Sequence, residues 1–65
     1  MFNEKLFRRT VEDCGYTLRD VASTLEIGIA TLYRKMSGES DFYRREIQTI
    51  GTMLGKDNIE KIFFS

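Results

Sequence analysis

The sequence predicts a compact all-α domain of five short helices, and three observations support that prediction. Apolar residues recur at intervals of three to five along most of the 65-residue chain, as they do on one face of a helix. Proline is absent and glycine occurs only five times, whereas a small β-barrel needs many turn residues. Residues that commonly cap helices stand at the edges of the apolar runs. A chain of this length forms one domain, residues 1–65.

The first helix is predicted over residues 3–14, with Asn3 as its N-cap and Gly15 as its stop. Its buried stripe is predicted to comprise Phe2, Leu6, Phe7, Val11 and Cys14. A single cysteine forms no internal disulfide, so we expect Cys14 to be a small core residue at the end of this helix.

Two shorter helices are predicted next, at about 17–25 and 29–36. Thr17 and Asp20 form a capping box at the start of the first. Because only three residues separate the two helices, they are not expected to lie side by side as a helical hairpin. A tight turn sets them at a steep angle instead, which is the helix-turn-helix geometry, predicted over about 17–37.

The fourth helix is predicted over about 44–54 and is ended by Gly55. A second capping box, at residues 57–60, is predicted to open a short last helix. Ile59, Ile62 and Phe63 share one face of that helix and are expected to close the core.

Composition excludes several classes of function. The chain has no histidine and one cysteine, so it forms neither a zinc site of the usual ligand set nor a Ser-His or Cys-His catalytic dyad. We therefore expect no enzyme activity, no cofactor, no metal and no small-molecule substrate. No apolar run approaches the roughly 20 residues of a membrane span, and no signal-peptide pattern opens the chain. These features indicate a cytoplasmic protein. Ten basic and ten acidic residues give a formal net charge of zero, so overall charge does not favour nucleic-acid binding.

The third predicted helix carries the chemistry if the helix-turn-helix interpretation holds. The second helix of such a motif enters the DNA major groove, where side chains near its start reach base edges. Leu32 and Met36 are predicted to face the core, and the outer face then carries Ile29, Ala30, Tyr33 and Arg34. The same periodicity also fits a helical bundle that binds nothing.

A set of residues between positions 17 and 42 forms a distinctive sequence pattern. Its members are Thr17, Asp20, Val21, Ala22, Leu25, Ile27, Thr31, Leu32, Arg34, Lys35, Met36, Gly38, Ser40 and Phe42. This pattern resembles the Xre/Cro-repressor helix-turn-helix family. The resemblance implies a five-helix domain of the lambda-repressor-like type that binds operator DNA as a dimer and regulates transcription, commonly in phage or prophage lysis–lysogeny control. Many members of the family have glycine where this chain has Glu26, and often a basic loop where it has Glu39 and Asp41.

The resemblance implies two groups of DNA contacts. Base contacts are expected from Ile29, Ala30, Tyr33 and Arg34, with Arg34 donating two hydrogen bonds to guanine and the apolar pair touching thymine methyl groups. Phosphate contacts are expected from Thr17, Arg19, Gly28, Lys35, Ser37, Ser40, Arg44 and Arg45. A phosphate contact remains the alternative for Arg34, and a solvated surface position the alternative for Arg19, Arg44 and Arg45. For Ile29 the alternative is packing back against the second helix, and for Tyr33 it is a sugar or phosphate contact or a position at the edge of the core.

A dimer is expected because operators are usually read by two helices about 34 Å apart. The C-terminal residues Ile62, Phe63 and Phe64 are the candidates for a weak homodimer interface, which DNA binding completes. Helical spacing leaves Phe64 outside the face that closes the core, and a frayed helix end is the alternative for this residue. The alternative function is a protein-binding module of the same fold, such as an antirepressor-type partner. The neutral charge, Glu39 and Asp41 favour this alternative.

Overall fold

Five α-helices form the structure, a computed structural model that describes residues 1–64. The helices are α1 (Glu4–Asp13), α2 (Leu18–Thr24), α3 (Ile29–Met36), α4 (Arg44–Leu54) and α5 (Lys56–Phe63). No strand occurs in this range, so the predicted all-α class is confirmed. The bounds of α3 and α4 are those predicted.

Side-chain caps at the first two helices are as predicted. The Asn3 side chain accepts a hydrogen bond from the Leu6 N–H at 3.0 Å. At α2, the Thr17 N–H donates to the Asp20 carboxylate at 2.8 Å, and the Asp20 N–H donates to the Thr17 hydroxyl oxygen at 3.1 Å. These reciprocal bonds satisfy backbone groups that a helix start otherwise leaves unpaired.

The capping box predicted at residues 57–60 is wrong. Gly55 has φ 99° and ψ 141°, a conformation that favours glycine, and it is the single residue between α4 and α5, which begins at Lys56. Asp57 therefore lies inside the first turn of α5 rather than before it. Asn58 instead donates its side-chain amide to the Leu54 carbonyl at 2.6 Å, which ties α5 to the end of α4.

The core lies where α1, α4 and α5 meet the α2–α3 pair. Its buried apolar members are Phe7, Val11, Val21, Ala22, Leu32, Met36, Ile50, Leu54, Ile59, Ile62 and Phe63. Helices α4 and α5 approach so closely that a Cβ at Gly51 would lie only 3.2 Å from the Ile59 side chain. The prediction that Cys14 is a core residue is wrong: the helix ends before it, and Cys14 is exposed where the chain turns away.

Helices α1, α2 and α3 end in the same way, with one residue in the left-handed conformation. This residue is Gly15 after α1 and Gly38 after α3, but Glu26 after α2, with φ 59°. The Glu26 N–H donates to the Ser23 carbonyl and the Ile27 N–H to the Ala22 carbonyl, both at 3.0 Å, which is the Schellman hydrogen-bond pattern. The turn between α2 and α3 therefore places a side chain where glycine is preferred.

Replacing Glu26 with glycine is expected to raise the free energy of unfolding by roughly 0.5–1 kcal/mol, because glycine avoids the left-handed penalty but loses more chain entropy on folding. Thermal unfolding measures the change. Glu26→Ala is the matched control, because it removes the same charge and keeps the Cβ. Equal midpoints for the glycine and alanine variants would contradict the strain at this turn.

Candidate nucleic-acid interface

One face of α3 is exposed and the other is part of the core. Ala30, Tyr33 and Arg34 lie at helical spacing on the exposed face, with 46% of the Tyr33 surface accessible. Leu32 and Met36 are buried on the opposite face, as predicted. Arg34 therefore carries a charged, hydrogen-bonding group on the outward face of an eight-residue helix.

Two residues at the start of α3 are predicted DNA contacts, and they differ in exposure. Ile29 is half-buried and packs against the core, so only part of its side chain is left to touch a base. Gly28, the N-cap, is exposed, and a Cβ built there would meet nothing within 4 Å. Its position makes no side-chain cap bond, so the backbone at this helix start is open to a close approach.

The segment after α3 folds back onto Arg34. The Arg34 carbonyl oxygen accepts hydrogen bonds from the Ser37 hydroxyl at 3.0 Å, the Glu39 N–H at 3.0 Å and the Ser40 N–H at 3.2 Å. Ser37 and Ser40, both predicted phosphate contacts, are exposed. The structure thus brings these serines next to the C-terminal half of α3.

Lys35 does not lie where a phosphate contact requires. It is only 6% exposed, and its ammonium nitrogen lies 3.1 Å from a Glu46 carboxylate oxygen. The same nitrogen donates to the Asp41 carbonyl at 3.0 Å and lies 4.1 Å from the centre of the Tyr43 ring. The physical reason is helical: Lys35 follows Leu32 by three residues and shares its inner face. Lys35 thus connects α3 to the following loop and to α4 through buried polar contacts.

The buried pair positions the first turn of α4. Glu46 also accepts the Tyr43 N–H at 2.8 Å, so one carboxylate holds both Lys35 and the start of the helix. Arg44 and Arg45 precede it and are exposed, as a phosphate contact requires. With Lys35 neutralised, the exposed charges of residues 29–45 are three arginines against Glu39 and Asp41, a small positive excess.

At the start of α2, Thr17 and Arg19 are exposed. A groove runs beside Thr17, lined in part by Leu18 and by Arg8 of α1. The Arg8 guanidinium carbon also lies 5.9 Å from the centre of the Tyr33 ring, so α1 reaches the outer face of α3. Sequence reasoning missed Arg8, because helical spacing alone does not show which neighbouring helix a surface arginine meets.

Two of the three residues predicted at the dimer interface are internal. Ile62 is fully buried and Phe63 is 8% exposed. Phe63 packs against Phe2 and Phe42, with 5.1 Å between ring centres in each pair. Both residues close the core of the monomer because they share one face of α5 with Ile59. Phe64, with 67% of its surface accessible, is the candidate that remains.

Comparisons of the chain with protein-family models, curated proteins and solved structures found no match. Within residues 1–64, no helix has the length and apolar character needed to cross a membrane.

Proposed function

We propose that this protein is a sequence-specific DNA-binding transcriptional regulator that reads the major groove with α3. The observation that supports this most strongly is the outward face of α3, where Ala30, Tyr33 and Arg34 stand exposed while Leu32 holds the helix to the core. An α-helix fits the major groove, and a guanidinium there donates two hydrogen bonds to guanine O6 and N7. In this proposal α2, the turn at Glu26 and α3 act as a helix-turn-helix.

Polar segments on both sides of α3 supply the phosphate contacts. Thr17 and Arg19 lie at the start of α2, and Arg44 and Arg45 lie at the start of α4. The buried bond between Lys35 and Glu46 supports this arrangement, because it fixes the first turn of α4 beside α3. Phosphate contacts of this kind orient a protein on the duplex, whereas base contacts specify the sequence.

Operator binding by two copies is part of the proposal. Phe64 borders an apolar surface groove with Phe42 and Ile47, and this exposed patch is the candidate for a weak self-association that DNA completes. The family resemblance suggests phage or prophage control as the setting. Reading an operator with two copies requires the two α3 helices to lie about one DNA turn apart, roughly 34 Å.

A protein-binding module of the same fold is the second candidate function. Glu39 and Asp41 are both exposed beside the end of α3, and the chain carries no net charge. Acidic side chains at this place weaken attraction to phosphates. A module of this kind would bind another protein and show no salt-sensitive affinity for DNA.

A paired set of variants tests the proposal on a duplex selected by the purified protein from a random pool. Arg34→Ala is expected to weaken the binding free energy by about 1–3 kcal/mol for the selected duplex and by much less for random duplex, because it removes base recognition. The combined change Arg44→Ala and Arg45→Ala is expected to weaken both duplexes alike and to flatten the salt dependence. Equal losses on both duplexes for Arg34→Ala would make Arg34 a phosphate contact, and failure to select any duplex would favour the protein-binding module.

A further inference from the structure

Arg8 lies where three helices meet at the edge of the outward face of α3. Its guanidinium carbon is 5.9 Å from the centre of the Tyr33 ring. Its side chain also lines the groove that contains Thr17, the N-cap of α2. Arg8 therefore adjoins both a residue expected to read bases and a residue expected to touch the DNA backbone.

Arg8 forms only a weak, exposed ion pair within the protein. The Arg8 Nε donates to a Glu4 carboxylate oxygen at 3.1 Å, four residues earlier on α1. The two side chains are 49% and 45% exposed, so both charges remain hydrated and the pair contributes little to stability. A guanidinium held in this way exchanges a carboxylate for a phosphate without uncovering a buried charge.

We propose, resting on the DNA-binding function inferred above, that Arg8 binds a phosphate of the DNA backbone and that Glu4 competes with DNA for it. The Tyr33 ring lies near one side of the guanidinium and leaves its N–H groups free, because an aromatic face attracts a cation without accepting its hydrogen bonds in the plane. The added cation matters because Lys35 is buried against Glu46 and unavailable to phosphates. Arg8 of α1 thus adds positive charge beside the outward face of α3, where the positive excess is small.

Arg9 provides a matched control on the same helix. It is exposed and carries the same charge, but it lines a different groove with Asn3, Lys5 and Leu6. One residue along a helix rotates a side chain by about 100° around the axis, so Arg9 points away from the direction of Arg8. Removing either arginine changes the net charge equally, and only Arg8 is expected to matter strongly for DNA.

The experiment measures affinity for the selected and the random duplex over a series of salt concentrations. Arg8→Ala is expected to weaken both duplexes by a similar factor and to reduce the slope of log affinity against log salt by about one. Glu4→Gln is expected to act in the opposite direction and tighten binding at low salt, because it releases Arg8. Arg9→Ala is expected to leave the slope close to that of the wild type. Circular dichroism confirms that each variant is folded.

Equal slopes for Arg8→Ala, Arg9→Ala and the wild type would overturn the role of Arg8. Weaker binding by Glu4→Gln would also contradict it, since a competitor cannot help the ligand that it opposes. If the wild type binds DNA and the changes at Arg44 and Arg45 flatten its slope, such a failure concerns Arg8 alone. If the wild type binds no duplex at all, the proposed function fails and the role of Arg8 fails with it.

Discussion

Lys35→Met is expected to lower the free energy of unfolding by about 3–5 kcal/mol, because it leaves the Glu46 carboxylate buried without its cation. Glu46 is only 6% exposed, and its interaction with Lys35 spans 3.1 Å. A domain of this size has a total stability of roughly 3–10 kcal/mol, so the loss approaches the whole. Chemical denaturation of the purified protein measures it.

A second variant separates the lost charge pair from lost packing. Lys35→Met combined with Glu46→Gln is expected to recover most of the stability, because no charge remains buried. The amide oxygen of the new side chain still accepts the Tyr43 N–H, as the Glu46 carboxylate does at 2.8 Å. A single variant as stable as the wild type would mean that the two charges are solvated. A double variant no better than the single one would assign the loss to packing.

Leu32→Ala is expected to lower the free energy of unfolding by about 2–5 kcal/mol, because apolar burial is lost and a cavity is left behind. Leu32 is fully buried on the inner face of α3. Ala30→Ser, on the exposed face of the same helix, is the control and is expected to change stability by less than about 0.5 kcal/mol. An unchanged unfolding midpoint for Leu32→Ala would mean that α3 is rotated, and the outward positions of Tyr33 and Arg34 would be wrong with it.

The inner face of α3 was predictable because apolar spacing and burial agree there. Leu32 and Met36 are four residues apart, so they define one side of the helix and place Arg34 on the other. The buried position of Lys35 left a signal in the sequence as well. It lies three residues after Leu32, and Glu46 lies four residues before the buried Ile50, so two opposite charges interrupt two apolar stripes. The family resemblance nevertheless implied a phosphate contact for Lys35, which requires an exposed ammonium group.

Features that depend on contacts between helices were harder to predict. Arg8 has acidic residues four positions away on both sides, Glu4 and Glu12, and only the folded packing shows it beside Tyr33. Phe63 shares a helical face with Ile59 and Ile62, so its burial was predictable, whereas spacing alone does not show what the exposed Phe64 contacts. A contact with a base depends on the shape of DNA as well as on this chain. Periodicity therefore places Arg34 outward without distinguishing a base from a phosphate.

The salt dependence of duplex binding by the wild-type protein tests DNA recognition most directly. If Arg8, Arg19, Arg44 and Arg45 each neutralise one phosphate, the log affinity of each bound copy falls with log salt at a slope of about −3.6. The affinity of each bound copy for the selected duplex then drops roughly a hundredfold between about 50 and 200 mM monovalent salt, while the preference for that duplex over random sequence persists. Binding that does not change with salt, or no binding to any duplex at the lower concentration, would contradict the proposed function.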